Sequence, residues 1–125
     1  MLKILIIGGG GFVGAVCRYG LSSLVQRHVT TFPAATLAVN TLGCLAIGAL
    51  MALAAGRTDL SAHVRSFLTI GLLGSFTTFS TMGLESFDLI RGGEIPKALF
   101  YILLSVTLGI GAVALGWSAI RTFAG

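Results

Sequence analysis

From the balance of its charges, the sequence predicts an antiparallel dual-topology homodimer; its subunit is an all-α integral membrane protein, one domain, residues 1–125, of four transmembrane helices with the third broken. Three observations carry this. The chain is 55% hydrophobic and 10% charged, with a mean hydropathy of +0.99, whereas soluble domains carry about 25% charged residues. Its apolar residues fall into four runs separated by short polar links. The third run holds four hydroxyls within five positions, Thr77, Thr78, Ser80 and Thr81, at a depth where lipid tolerates polar atoms or broken backbone only beside protein or water. Such a segment points to a route for something small and polar through a bilayer.

The runs span residues 2–25, 34–55, 64–90 and 95–120. Each exceeds the ~20 helical residues needed to cross ~30 Å of hydrocarbon. Arg27, His28, Arg57, Asp59, His63, Arg91 and Glu94 lie in or beside the links. The first run opens Met1-Leu2-Lys3 like a signal peptide, but no small-x-small cleavage site follows. Val16 is too large to precede a lipoprotein cysteine at Cys17. The run is therefore read as a retained span. Its Gly9, Gly11 and Gly14 have the G-x-G-x-x-G spacing of dinucleotide-binding units, but the first acidic residue is Asp59 and no strand–helix alternation follows. No nucleotide partner is expected. Gly10 with Gly14, Gly48 with Ala52, and Ala112 with Gly116 have the four-residue spacing that lets helices approach closely. Cys17 and Cys44 fall inside runs and read as small packing residues, with no metal or disulfide pattern. The formal charge of +4 resides on residues flanking the spans. This places it at lipid headgroups rather than on nucleic acid.

Orientation follows from the distribution of Lys and Arg. One side carries Lys3, Arg57, Arg65 and Arg121; the other carries Arg27, Arg91 and Lys97, with Arg18 if it reaches outward. With the sides so nearly equal, insertion has little electrostatic bias, and a chain without bias can insert both ways and pair with its inverted copy.

Several residues could carry chemistry. The Asn40 amide offers two N–H donors and an acceptor; it either bridges helices or faces an ion path. Arg18 either snorkels to the interface or holds positive potential at the mouth of a passage. Asp88 is close enough to the end of its run to be solvated. Glu85 lies deeper, where it accepts hydrogen bonds from a neighbouring helix or serves as the carboxylate of a proton-coupled transporter. The Phe79 ring has a positive edge that can stabilise a small anion without a full charge, leaving binding weak enough for release. Gly74 to Thr78 reads as a helix break. Freed carbonyls at such a break can coordinate a small, hard cation.

Gly74-x-x-Thr77-Thr78-Phe79-Ser80-Thr81, with Glu85 after it, resembles the signature of the CrcB fluoride channels. Gly10-x-x-x-Gly14-Ala15-x-x-Arg18-Tyr19 looks like the family's first helix, and Thr36-Leu37-x-x-Asn40-x-x-Gly43, ending at Gly48, like its second. The resemblance covers essentially the whole chain. It implies a fluoride-selective channel of the cell inner membrane, not an enzyme, that passively lowers cellular fluoride. It also implies two inverted subunits around a structural Na+ that is not transported, held by the backbone carbonyls of Gly74 and Thr77. Phe79 would supply the first of the ring edges lining the fluoride pathway. Asn40 would order the pathway, Ser80 and Thr81 would form its polar track, Tyr101 and Ser105 would complete it, and Arg18 would sit in a vestibule. Family members commonly carry a second phenylalanine three residues after the first; this chain has Met82, which lacks a ring edge. The alternative function is a small proton-coupled dual-topology exporter with Glu85 as its coupling acid. A non-transporting scaffold subunit would leave the clustered hydroxyls unexplained.

Overall fold

The computed structural model describes residues 1–56 and 60–124; Arg57 and Asp59, assigned above to the second link, lie outside the described residues. Helices α1 (Leu2–Gln26) and α2 (Ala34–Gly56) are continuous, as is the last helix. The third span is built of pieces: α3 (Ala62–Ser66), a π-helical segment (Phe67–Leu73), α4 (Gly74–Phe76) and α5 (Phe79–Arg91). Helix α6 (Ile95–Ala124) follows. Four stretches are long and apolar enough to cross a membrane, and the third, with a mean hydropathy of 1.4, is the least apolar. That deficit comes from its hydroxyl cluster.

Local chemistry sets the ends of these pieces. Ser61 caps α3, its Oγ accepting the Val64 N–H at 3.3 Å. Helix α5 stops at Gly92-Gly93, where Gly93 adopts φ +79°. An L side chain there would cost about 1–2 kcal/mol. The reversal lets the Glu94 N–H reach the Leu89 carbonyl at 2.8 Å. In the first turn of α6, Lys97 pairs with Glu94 and donates to the Thr31 carbonyl at 3.4 Å, tying that helix to the first link.

The glycines read as packing faces lie in seams within the chain. Helix α2 runs along α6, with Gly48 against the Val113 backbone and Gly116 against Leu45 and Ala49. Helix α1 packs on the π-helical segment, where Gly10 and Gly71 approach each other backbone to backbone. Gly14 sits against the Leu72 carbonyl and Ser75, and the Ser75 hydroxyl donates to the Gly11 carbonyl at 2.8 Å. A Cβ at Gly14 would collide with fixed backbone, whereas one at Gly11 would meet nothing within 4 Å. Gly14→Ala is expected to destabilise the fold by about 1–3 kcal/mol through overpacking. Gly11→Ala should be neutral or slightly stabilising. Thermal unfolding of both variants in detergent checks the difference.

The buried core is thin. Val39, Ala98 and Tyr101 are 0% exposed, while Phe12 (73%), Phe79 (81%) and Ile110 (69%) turn outward. In a membrane these outward side chains meet lipid or another protein surface rather than water.

Candidate functional site

The sequence located a break at residues 74–78; the structure narrows it to the last two. Gly74–Phe76 remains helical, whereas Thr77 (φ −80°, ψ 157°) and Thr78 (φ −151°, ψ 112°) are extended. β-Branched threonines favour extended backbone, and their hydroxyls offer local partners in place of helical bonds. The π-helical segment just before the break was not anticipated. Such turns are rare and concentrate at functional sites. The only hint in the sequence was that Gly10 and Gly71 permit a close backbone crossing.

Asn40 holds the break open. Its Oδ1 accepts the Thr78 N–H at 2.8 Å, and its Nδ2 donates to the Thr78 carbonyl at 3.0 Å. One side chain on α2 thus takes both backbone groups of one residue on the third span. In a continuous helix the Thr78 N–H would bond the Gly74 carbonyl, and the Thr81 N–H the Thr77 carbonyl. The first donor goes instead to Asn40, and the second to Thr78 Oγ1 at 3.2 Å, which caps α5. The carbonyls of Gly74 and Thr77 are thereby released from helical bonding. Neutral, hard oxygens of this kind suit a small cation such as Na+.

The hydroxyls beyond the break form a row. Thr78 Oγ1 lies 2.9 Å from Thr81 Oγ1 and 3.3 Å from Ser80 Oγ. A cavity of about 380 Å³ opens beside them, with Asn40, Gly74, Thr77, Phe79, Met82 and Ser105 among its walls. The Ser105 Oγ is buried and, among the described residues, has no hydrogen-bond partner. A buried hydroxyl left unpaired is costly, so a polar guest at this wall would be stabilised.

Tyr101, one turn before Ser105, belongs to a second cluster. Its hydroxyl donates to Glu85 Oε2 at 2.7 Å, and the Thr36 hydroxyl donates to Glu85 Oε1 at 2.7 Å. Each carboxylate oxygen therefore has its own O–H donor. Glu85 also lines a larger chamber of about 560 Å³ between the first link and the C-terminal half of α5, with Asp88 and Glu94 at its rim. Asp88 lies 4.0 Å from Arg91 in an exposed pair, which contributes little. Arg18 is half-exposed on α1 and lines neither chamber. The structure thus brings together Asn40, Gly74, Thr77, Phe79, Met82 and Ser105, sets Ser80 and Thr81 beside them, and places Tyr101 with Glu85. Thr36 received no role from the sequence. The rule that a carboxylate within a span needs donors could have prompted a search for it.

The family described as CrcB-like protein, Camphor Resistance (CrcB), matches residues 5–117. The chain is 42% identical over 123 residues, covering 98% of it and 99% of the relative, to a fluoride-specific ion channel FluC of Methylobacterium sp. strain 4-46. It is 45% identical over 126 residues, covering all of both chains, to the FluC of Chloroflexus aurantiacus. It is 45% identical over 116 residues, covering 93% of it and 88% of the relative, to FluC 1 of Methanosarcina acetivorans. Matched across its four apolar spans, this multi-pass membrane chain belongs to the CrcB-like protein family, whose named relatives are ion channels rather than enzymes.

Proposed function

We propose that this protein is a fluoride-selective channel of the cell inner membrane, working as a homodimer of two inverted copies and exporting fluoride passively. The observation that carries the reading is the Asn40 clamp on Thr78, which opens a span in front of an exposed phenylalanine and a row of hydroxyls. Fluoride is small and tightly hydrated, so a pathway must replace its water as it is shed. Thr78, Ser80 and Thr81 bond to one another and can rotate an O–H toward a passing anion. Ser105 offers a further hydroxyl at the cavity wall. The Phe79 ring edge adds positive potential without a full charge, so the ion is not held fast. Hydrogen fluoride crosses lipid as the neutral acid and dissociates inside, and membrane potential drives the anion out through an open path.

The near-equal charge on the two sides supports dual topology. Pairing would cover Phe79, which is 81% exposed in the single chain. The freed carbonyls of Gly74 and Thr77 would hold a structural Na+ where two breaks meet, and the ion would supply fixed positive charge there. Exchanging Na+ for N-methylglucamine is then expected to weaken the dimer in size-exclusion chromatography; indifference to the exchange excludes the central cation.

Fluoride efflux from proteoliposomes, with chloride as control, tests the function directly. Rapid fluoride release without chloride release is expected, and vesicles that stay fluoride-tight overturn the reading. The proton-coupled alternative rests on Glu85. Efflux that persists when the pH gradient is collapsed excludes it.

A further inference from the structure

The ring of Phe32 lines the larger chamber and backs onto Tyr101. It meets Tyr101 in a T-shaped contact, with centroids 5.5 Å apart and planes at 84°. It also touches Phe100 at 6.2 Å, tilted by 55°. Phe32 and Glu85 both line the chamber of about 560 Å³, whereas Tyr101 does not and is 0% exposed. The ring therefore helps wall the phenol off from the chamber that its acceptor faces.

The backbone holds this ring in place from both sides. The Ala34 N–H donates to the Phe32 carbonyl at 2.7 Å, a tight turn made at Pro33 just before α2. One residue earlier, the Thr31 carbonyl accepts from Lys97 on α6 at 3.4 Å. The link is thus fastened to both helices whose hydroxyls serve Glu85: Thr36 on α2 and Tyr101 on α6.

A phenol has a rotatable C–O bond, and its ring can tilt wherever space allows. Two constraints fix the Tyr101 hydroxyl on Glu85 Oε2: the hydrogen bond itself and the surface packed against the ring. Glu85 is open to the chamber, so water reaching the phenol would compete for its O–H, and the ring packed on Tyr101 opposes that.

We propose that Phe32 is a positioning residue for ion passage. Its ring keeps the Tyr101 hydroxyl aimed at Glu85 and shields the phenol from chamber water. This rests on the fluoride-channel reading for its effect on flux, but not for its effect on the hydrogen bond. Phe32→Leu keeps apolar bulk and removes the ring, Phe32→Trp restores an aromatic edge, and Phe100→Leu removes the neighbouring contact that does not involve the phenol.

Two measurements decide the matter. The chain has two tyrosines, so in a Tyr19→Phe background ultraviolet resonance Raman reports the hydrogen bond of Tyr101 alone. The signature of a phenol donating to a carboxylate should be lost in Phe32→Leu and kept in Phe32→Trp and Phe100→Leu. In proteoliposomes, fluoride efflux should fall roughly three- to tenfold in Phe32→Leu, the factor that corresponds to one aromatic pair, and largely recover in Phe32→Trp. Circular dichroism and size-exclusion chromatography establish that each variant is folded. An unchanged Raman signature in folded Phe32→Leu overturns the proposal, as does full efflux from that variant. If the unsubstituted chain itself moves no fluoride, the channel reading fails while the Raman comparison still decides the role of the ring.

Discussion

Replacing Phe79 with isoleucine is expected to reduce fluoride flux to the leak of empty vesicles while leaving the fold and the proposed pairing intact. Phe79 is the first residue of α5 and is 81% exposed, so its ring supports little of its own chain's core. Isoleucine keeps much of the apolar surface and is tolerated at a helix start. It has no quadrupole, and so no positive edge to offer an anion that has shed water. Removing one preorganised electrostatic group where charge must be stabilised costs about 10²–10³ in rate. A fluoride electrode reading efflux from proteoliposomes checks the flux, and size-exclusion chromatography checks the pairing. Normal efflux from the isoleucine variant would remove the ring edge from the mechanism. The neighbouring position sharpens the point, because Met82 lines the same cavity one turn later without a ring. Among the described residues lining that cavity, Phe79 is the one aromatic ring.

Asn40→Asp is the second large effect, and the hydrogen bonds explain it. The substitution is nearly isosteric. One carboxylate oxygen can still accept the Thr78 N–H, as Oδ1 does now at 2.8 Å. The other would face the Thr78 carbonyl, to which Nδ2 now donates at 3.0 Å. Two acceptors would then oppose each other at the point that sets the break, and a negative charge would stand beside the proposed path of the anion. Conduction should be suppressed, and stability should fall by about 1–3 kcal/mol for the lost and unpaired groups. Efflux and thermal unfolding measured together check this. Asn40→Ala separates the causes: it removes the clamp without adding charge, so it should cost stability while suppressing flux less. If both efflux and unfolding are unchanged in the aspartate variant, Asn40 neither sets the break nor borders the path.

Much of this architecture could be read from composition and spacing, because the bilayer imposes a length and a polarity that leave few alternatives. Four runs of sufficient length require four crossings. A hydroxyl cluster in one of them requires that span to be irregular or solvated. The small residues at Gly10, Gly14, Gly48 and Gly116 announced close seams, and each now lies against a neighbouring helix of the same chain. Local patterns could not say how the polar groups pair, because pairing depends on which side chains distant spans bring to the same depth. Asn40 and Thr78 are 38 residues apart, Thr36 and Glu85 are 49 apart, and both pairs meet across helices. Glu85 was legible as a deep acid, but its two hydroxyl donors were not. The π-helical turn was hidden for the same reason: it lies where α1 crosses the third span at Gly10 and Gly71, and no propensity along the chain encodes a crossing.

Hydropathy and residue order alone were enough to establish a four-span membrane chain with an interruption near Thr77, because each of those properties arises from neighbours in sequence facing one solvent. The exact place of the interruption, its clamping by Asn40, and the separation of Tyr101, held on Glu85, from Ser105 at the smaller cavity emerged only once the helices were packed. Hydrogen bonds are short and directional, so they are settled by three-dimensional register rather than by distance along the chain.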